Sequence, residues 1–167
     1  TAKSYTFNIK NSRMKIINLG GCVMEWKVKT FDEITRDELW AIYFARVQTF
    51  VVEQKRPYQE VDDVDKKALH IWAEEDGQLL AYARVFHGED HTSFGRVLTT
   101  PAARGKGLGK QLIERVLKEI DEHFDHPRVE IDSQDDKEAF YAKFGFKSVG
   151  DVYEFHQTPH IKMILNK

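Results

Sequence analysis

The chain has 167 residues, of which 41% are hydrophobic and 31% are charged, a composition typical of one folded domain with an apolar core. Its formal net charge of -2 gives no electrostatic basis for binding nucleic acid or an anionic membrane, and no apolar run is long enough to cross a bilayer. The single cysteine, Cys22, excludes an intramolecular disulfide, and without a secretory signal pattern we expect a cytoplasmic protein.

Residues 1–23 differ from the rest of the chain in charge. They contain four basic residues and no acidic ones, which gives them +4 and leaves -6 for the remainder. We therefore expect residues 1–23 to be an N-terminal appendage or an upstream extension, and residues 24–167 to form the domain.

A short strand around residues 26–31 and one long helix are predicted next. Residues 35–38 (Thr-Arg-Asp-Glu) form a capping box, which marks the start of a helix. Apolar residues follow at helical spacing: Leu39, Ile42, Tyr43, Val47, Phe50 and Val51. Pro57 and the acidic residues 60–65 then predict a loop.

Three strands are predicted after this loop. Residues 69–74 and 79–86 are rich in aliphatic and aromatic side chains, and Asp76-Gly77 between them is a hairpin signal. A third strand is expected over residues 94–99, ending before Pro101.

A glycine-rich turn, residues 104–109 (Arg-Gly-Lys-Gly-Leu-Gly), separates this strand from a predicted amphipathic helix. The first amides of a helix have no partner within it, the helix dipole adds positive charge there, and glycines allow a phosphate to approach the backbone. Arg104, Lys106 and Lys110 supply cations for the phosphate charge. The turn therefore predicts a phosphate-binding site.

Two widespread phosphate-binding motifs do not fit this turn. A P-loop requires Ser or Thr after its Gly-Lys pair, and Gln111 stands there instead. The dinucleotide fingerprint requires a glycine where Lys110 stands, and it belongs near the first strand of a domain.

The C-terminal part predicts a strand over residues 128–131, a helix over 135–144 ended by Gly145, and strands over 146–155 and 161–165. From residue 24 the order of elements is β-α-β-β-β-α-β-α-β-β. We expect an α/β fold with a mixed sheet and helices on both of its faces.

The glycine turn resembles R/Q-x-x-G-x-G/A, the coenzyme-A-binding signature of the GNAT N-acetyltransferases. In a second resemblance, Tyr141 and the pair Gly145-Phe146 match the spacing of a GNAT motif in which Gln134 replaces the usual asparagine. Further segments, including residues 50–54 and 159–161, resemble the ElaA-like subgroup, where glutamine is expected at this position. The resemblance covers residues 24–167 and implies the GNAT fold.

The resemblance also implies a reaction in which an amine attacks the thioester of acetyl-CoA directly. It assigns to coenzyme binding Val97, Leu98, Thr99, Arg104, Gly105, Lys106, Gly107, Leu108, Gly109, Lys110 and Gln134. Tyr141 is implied as the general acid that protonates the leaving thiolate. For the general base, Glu130, Asp132, His70 and His160 are open, and Glu130 acting through water is our prediction.

Two other functions are open: a non-catalytic CoA-binding regulatory module on the same fold, and an acyl-homoserine-lactone synthase. Tyr141 favours an enzyme, because a protein that only binds CoA has no need of an acid at the thiol. We expect a small-molecule or peptide amine as acceptor, cationic because acidic residues 60–65 would attract it. We expect no metal, no nucleic acid and no membrane as partner, and the sequence allows a homodimer.

Overall fold

The computed structural model describes residues 14–17 and 23–167, which form one eight-stranded sheet and three α-helices. The strands are β1 (Met14–Ile17), β2 (Val23–Thr30), β3 (Leu69–Glu75), β4 (Gln78–His87), β5 (Thr92–Thr99), β6 (Arg128–Gln134), β7 (Lys147–Phe155) and β8 (Thr158–Asn166). The helices are α1 (Arg36–Val47), α2 (Leu108–His123) and α3 (Glu138–Ala142). No helix in these residues is long and apolar enough to cross a membrane.

The strands lie in the order β1-β2-β3-β4-β5-β6-β8-β7, and all described neighbours are antiparallel except β5 and β6. The predicted order of elements from residue 24 onward and the mixed sheet are confirmed. The structure adds β1, which pairs with β2 so that Met14 lies opposite Trp26. This edge strand lies within the predicted appendage, and the domain boundary at residue 24 stays a prediction. Cys22 lies outside the described residues.

Apolar side chains are buried on both faces of the sheet. The larger core packs the sheet against α2 and α3, and its α2 residues are Leu108, Leu112, Ile113, Val116 and Ile120. The smaller core lies under α1 and contains Ile42, Ala45, Phe50, Trp72, Tyr82 and Leu98. Because β3 and β4 are covered on both faces, their sequences read as nearly continuous apolar runs.

The start of α1 confirms the predicted capping box. The amide of Glu38 donates to Oγ1 of Thr35 at 3.3 Å, and the amide of Thr35 donates to Oε2 of Glu38 at 2.9 Å. After Val47 the chain continues through a π-helical turn, Gln48–Glu53, which carries the apolar spacing onward to Phe50. The helix and this turn lead the chain across the sheet to the ends of β5 and β6.

Strands β5 and β6 separate along their length. Their described register consists of one pair, Thr92 opposite Val129, at the start of both strands. Farther along β5, a bulge opposite β4 holds Arg96 in the left-handed region at φ 54°. The gap between the two strands therefore opens toward their C-terminal ends, Thr99 and Gln134.

Candidate functional site

In the turn between β5 and α2, backbone groups rather than side chains face the open space in front of the helix. Gly105 and Gly107 both have φ of 75°, a left-handed conformation that favours glycine, and a Cβ on either would meet no atom within 4 Å. Gly107 is the N-cap of α2, and no described side chain caps this helix. The first amides of α2 therefore face open space with the positive end of the helix dipole behind them, which suits an anion.

Arg104 ties this turn to its surroundings. Its Nε donates to the carbonyl oxygen of Thr99 at 3.1 Å, and its Nη2 donates to Oε2 of Glu53 at 2.9 Å. Lys106 is exposed, and Lys110 is exposed beside Glu114, with 3.5 Å between their charged atoms. The turn thus has two exposed cations at its surface and one arginine that joins it to the π-helical turn after α1.

At its C-terminal end, β5 has one edge that pairs with no described strand. On one side Leu98 and Thr99 pair with Tyr82 and Ala81 of β4. On the other side β6 has already separated, so the backbone groups of Val97, Leu98 and Thr99 that face the gap have no strand partner among the described pairs. An extended ligand can take the place of the missing strand by hydrogen bonding to this edge.

Tyr141 lies on α3 at the α2 side of the sheet. The residue is 8% exposed, and its ring packs against Phe94, Phe140 and Phe146, with centroid distances of 5.1 to 6.1 Å. Burial raises the pKa of the Tyr141 hydroxyl, so the phenol stays protonated at neutral pH. No described residue hydrogen-bonds to this hydroxyl, which leaves its proton available to a ligand.

Gln134 and His160 stand at the open end of the gap, on the α1 side. They lie opposite each other on β6 and β8, and Tyr153 of β7 lies opposite His160. The side-chain amide of Gln134 donates to Oε1 of Gln54, in the segment after the π-helical turn, at 3.2 Å. This contact connects the β6 end of the gap to the segment that follows α1.

At this end of the gap, on the α1 side, the segment after α1 and the turn between β7 and β8 border a cleft and are joined by Arg56. Arg56, which is 6% exposed, donates from Nε to the carbonyl oxygen of His156 at 3.1 Å and from Nη2 to that of Phe155 at 3.2 Å. Tyr58 lies between two guanidinium groups, 5.0 Å from that of Arg56 and 5.5 Å from that of Arg96. The segment after α1 and the β7–β8 turn therefore form two facing walls.

The placement of Glu130 counts against its predicted role as the base. Glu130 follows Val129, the residue paired at the closed end of the gap, and lies about 13 Å along β6 from Gln134. Its Oε1 accepts from Nε of Arg128 at 2.6 Å. Burial acts to raise the pKa of Glu130, but this hydrogen bond and the nearby charges of Arg128, His91 and Lys162 together lower it, which weakens the carboxylate as a base.

Asp90, His91 and Glu130 approach one another closely enough to share a metal ion. Arg128 bonds to both carboxylates, at 2.9 Å from Asp90 and 2.6 Å from Glu130, and thereby already supplies the positive charge. The cluster is a poor cation site for that reason.

His70 is a structural residue. Its Nδ1 accepts from the hydroxyl of Tyr82 at 2.7 Å and its Nε2 donates to the carbonyl oxygen of Asp65 at 2.8 Å. The side chain is fully buried, and burial lowers the pKa of His70 to about 4. With both nitrogens engaged, this imidazole has no lone pair to offer a substrate.

The acidic residues 60–65 are not a free negative surface, so they do not supply the predicted attraction, and a cationic acceptor stays a prediction. Three of them pair with arginines in a buried ion cluster, which comprises Arg46, Arg84, Arg96, Glu60, Asp62 and Asp65. Arg46 binds Asp65 through two bonds of 2.6 and 3.1 Å, and Arg84 binds Asp62 through two bonds of 2.6 and 2.9 Å. The cluster holds equal numbers of positive and negative charges.

The pKa of Asp65 shows how completely its charge is compensated. Burial acts to raise the pKa, but the hydrogen bonds from Arg46 and Arg84 outweigh burial and hold it below its ordinary value. The sequence contains a signal for these ion pairs: Arg84 interrupts an apolar strand, and Arg46 lies one helical turn after buried Ile42. A charge on an apolar face usually has a partner elsewhere in the chain.

A family model described as "Acetyltransferase (GNAT) domain" matches residues 30–167, which include the glycine turn, the diverging strands and Tyr141. The chain belongs to the GNAT acetyltransferase family. The predicted family is thereby confirmed.

The relatives of this GNAT domain include ElaA proteins. ElaA of Escherichia coli is 34% identical over 146 residues, which cover 84% of this chain and 95% of ElaA, and its crystal structure superposes with a TM-score of 0.80. An acyl-CoA N-acyltransferase from Pseudomonas aeruginosa is 40% identical, with a TM-score of 0.81 over 84% of this chain and 98% of that protein. A UPF0039 protein of Schizosaccharomyces pombe is 34% identical over 145 residues. The ElaA-like branch is therefore confirmed.

Proposed function

We propose that this GNAT domain transfers an acetyl group from acetyl-CoA to an amine on a small molecule or peptide. The observation that carries the proposal is the open glycine turn at the start of α2, placed directly beyond the unpaired end of β5. A ligand with a pyrophosphate and a linear arm matches these two features in order.

In this proposal, different backbone segments bind different parts of the coenzyme. The amides of residues 105–110 hold the pyrophosphate, with Arg104, Lys106 and Lys110 around it. The edge formed by Val97, Leu98 and Thr99, which has no strand partner on the side of the gap, binds the pantetheine arm. An amide of Leu98 or Thr99 stabilises the oxyanion, and Gln134 contacts the coenzyme from the other side of the gap.

Tyr141 supplies the proton that the leaving sulfur needs. It lies beside Phe94 of β5 and therefore borders the gap from the α2 face of the sheet, opposite the side of Gln134 and His160. A buried phenol with a raised pKa stays protonated until a thiolate forms next to it. The acid and the acceptor thus approach the thioester from opposite faces.

The acceptor enters between the walls formed by the segment after α1 and the β7–β8 turn. Because the ion cluster beneath this cleft has no net charge, the acceptor is not selected by a negative field. Aromatic rings of Tyr58, Tyr153 and Phe155 line or border this region and provide stacking and apolar contact. We expect the shape and apolar surface of the acceptor to decide which amine is used.

A non-catalytic CoA-binding module is the alternative, and one experiment separates the two functions. Coenzyme A at about a hundredfold excess over its dissociation constant should raise the free energy of unfolding by about 2.7 kcal/mol, seen as a thermal shift. Acetyl-CoA is then mixed with a panel of amines and thiol release is followed. Transfer to any amine supports the enzyme, stabilisation without thiol release supports the module, and no stabilisation contradicts both.

A further inference from the structure

His160 is held in one tautomer by its backbone partner. Its Nδ1 lies 2.8 Å from the carbonyl oxygen of Thr158, and a carbonyl oxygen can only accept a hydrogen bond. In the neutral ring the proton therefore sits on Nδ1 and the lone pair on Nε2. No described residue hydrogen-bonds to Nε2, although the residue is only 6% exposed. A nitrogen with an unused lone pair therefore remains for a ligand.

The ring faces the acceptor side of the cleft. Residues directly opposite each other on antiparallel strands point to the same face, so His160 shares its face with Gln134 and Tyr153. Gln134 reaches Gln54 on that face, which is the side of α1 and the acceptor walls. The rings of Phe155 and Tyr153 flank the imidazole with centroid distances of 5.5 and 6.2 Å.

The other titratable groups around this ring are already engaged. The hydroxyl of Tyr153 donates to Oδ1 of Asp132 at 2.5 Å, so this carboxylate of β6 is occupied. From the acceptor walls, Arg56 points at backbone carbonyls, and the ring of His156 stacks near Tyr58 at 4.8 Å. Asp132 joins Glu130 and His70 as groups whose contacts leave them unsuited to act as the base.

We propose that His160 is the general base that deprotonates the acceptor, an inference that rests on the proposed acyl transfer. Nε2 of His160 takes one proton from the acceptor ammonium, and the freed nitrogen lone pair forms the bond to the thioester carbonyl carbon. The carbon–sulfur bond then breaks, and the sulfur takes the proton of the Tyr141 hydroxyl. The attacking nitrogen and His160 each release one proton to solvent, and Tyr141 takes up one proton from solvent to regain its hydroxyl.

The test compares His160→Gln with His126→Gln, the same substitution two residues before the start of β6, at the closed end of the gap. With acetyl-CoA and an amine that the wild-type protein acetylates, His160→Gln should lose about 10²–10⁴-fold in kcat/KM. The low-pH limb of the rate profile should disappear, and the thermal shift with coenzyme A should persist. His126→Gln should retain wild-type kinetics. Wild-type turnover and an unchanged pH profile in His160→Gln would overturn the inference and leave the transferase proposal intact.

A second measurement does not depend on the variant folding. Long-range ¹H–¹⁵N spectra of the wild-type protein report which ring nitrogen of each histidine carries the proton. The neutral form of His160 should be protonated at Nδ1, and the Nε2 signal should move when an acceptor amine binds. A proton on Nε2 in the neutral form would contradict the assignment. If no amine in the panel releases thiol, the proposed transfer itself fails, which the tautomer spectrum alone would not show.

Discussion

The Tyr141 hydroxyl sits at the end of a ring that three phenylalanines hold in place. Replacing it with phenylalanine keeps this packing and removes only the proton donor. We expect Tyr141→Phe to lower kcat by about 10²–10⁴-fold and to leave coenzyme affinity unchanged. Single-turnover rates and thermal shifts with coenzyme A measure the two effects separately.

Tyr82→Phe is the matched control for this prediction. Tyr82 is also a buried phenol, but its hydroxyl bonds to His70 in the core and not to the gap. Its loss should reduce stability by about 1–3 kcal/mol through an unsatisfied His70 nitrogen and leave turnover unaffected. Equal turnover in Tyr141→Phe and the wild-type protein would make Tyr141 a packing residue only.

The conformation of the glycine turn could be predicted because its signal is local. Gly105 and Gly107 lie in one short motif next to a strand and a helix, and their positive φ values explain why that motif needs glycine. The base could not be predicted in the same way. Glu130 and His160 both lie on central strands, and only the pairing at Thr92 shows which end of the gap is closed.

At the scale of elements, the glycine turn and the first turn of α2 act as one unit. A valine at position 107 would have to adopt φ of 75°, which costs about 1–2 kcal/mol, and would project its side chain where the phosphate is expected. Gly107→Val should therefore abolish the thermal shift produced by coenzyme A.

Gly150→Val provides a control with the same backbone cost. Gly150 on β7 has φ of 78° and equally open surroundings, but it lies far along the chain from the turn. This variant should lose a similar amount of stability and keep the coenzyme-dependent shift. Loss of the shift in both variants would show that it reports general stability, and retention in Gly107→Val would remove the turn from the coenzyme site.

Most elements were predictable because their periodicity and their caps depend on residues close together in the sequence, as the capping box of α1 shows. β1 was not predicted, because it has four residues and becomes a strand only by pairing with β2. The ion cluster was not predicted for a related reason: its partners, such as Arg84 and Asp62, are separated in the sequence by a strand and a loop. Sequence reveals charges, whereas their pairing depends on the folded sheet.

For the whole molecule, the buried His70 links stability to pH. Burial lowers its pKa from 6.5 to about 4, so the unfolded chain takes up a proton on this ring at higher pH than the folded chain does. The stabilisation is complete above pH 6.5 and is lost as pH falls toward 4, a change on the order of 3 kcal/mol.

Urea unfolding of the wild-type protein and of His70→Gln between pH 7 and pH 5 tests this coupling. The free energy of unfolding should decrease with falling pH in the wild-type protein, and this slope should be clearly smaller in the variant. Parallel slopes would mean that another group controls the acid response. Whether the chain forms a homodimer stays a prediction, and running the titration at two protein concentrations separates assembly from folding.

The ion cluster also limits how acceptor choice can be re-engineered. The carboxylates of residues 60–65 are matched by arginines on α1, β4 and β5, so this loop cannot be exchanged by itself. Grafting the equivalent loop of another acyltransferase would leave buried guanidinium groups without counter-charges, at several kcal/mol for each ion. Such a graft would also have to replace Arg46, Arg84 and Arg96. Exchanging this loop to change the acceptor therefore requires that the three arginine positions beneath it be exchanged at the same time.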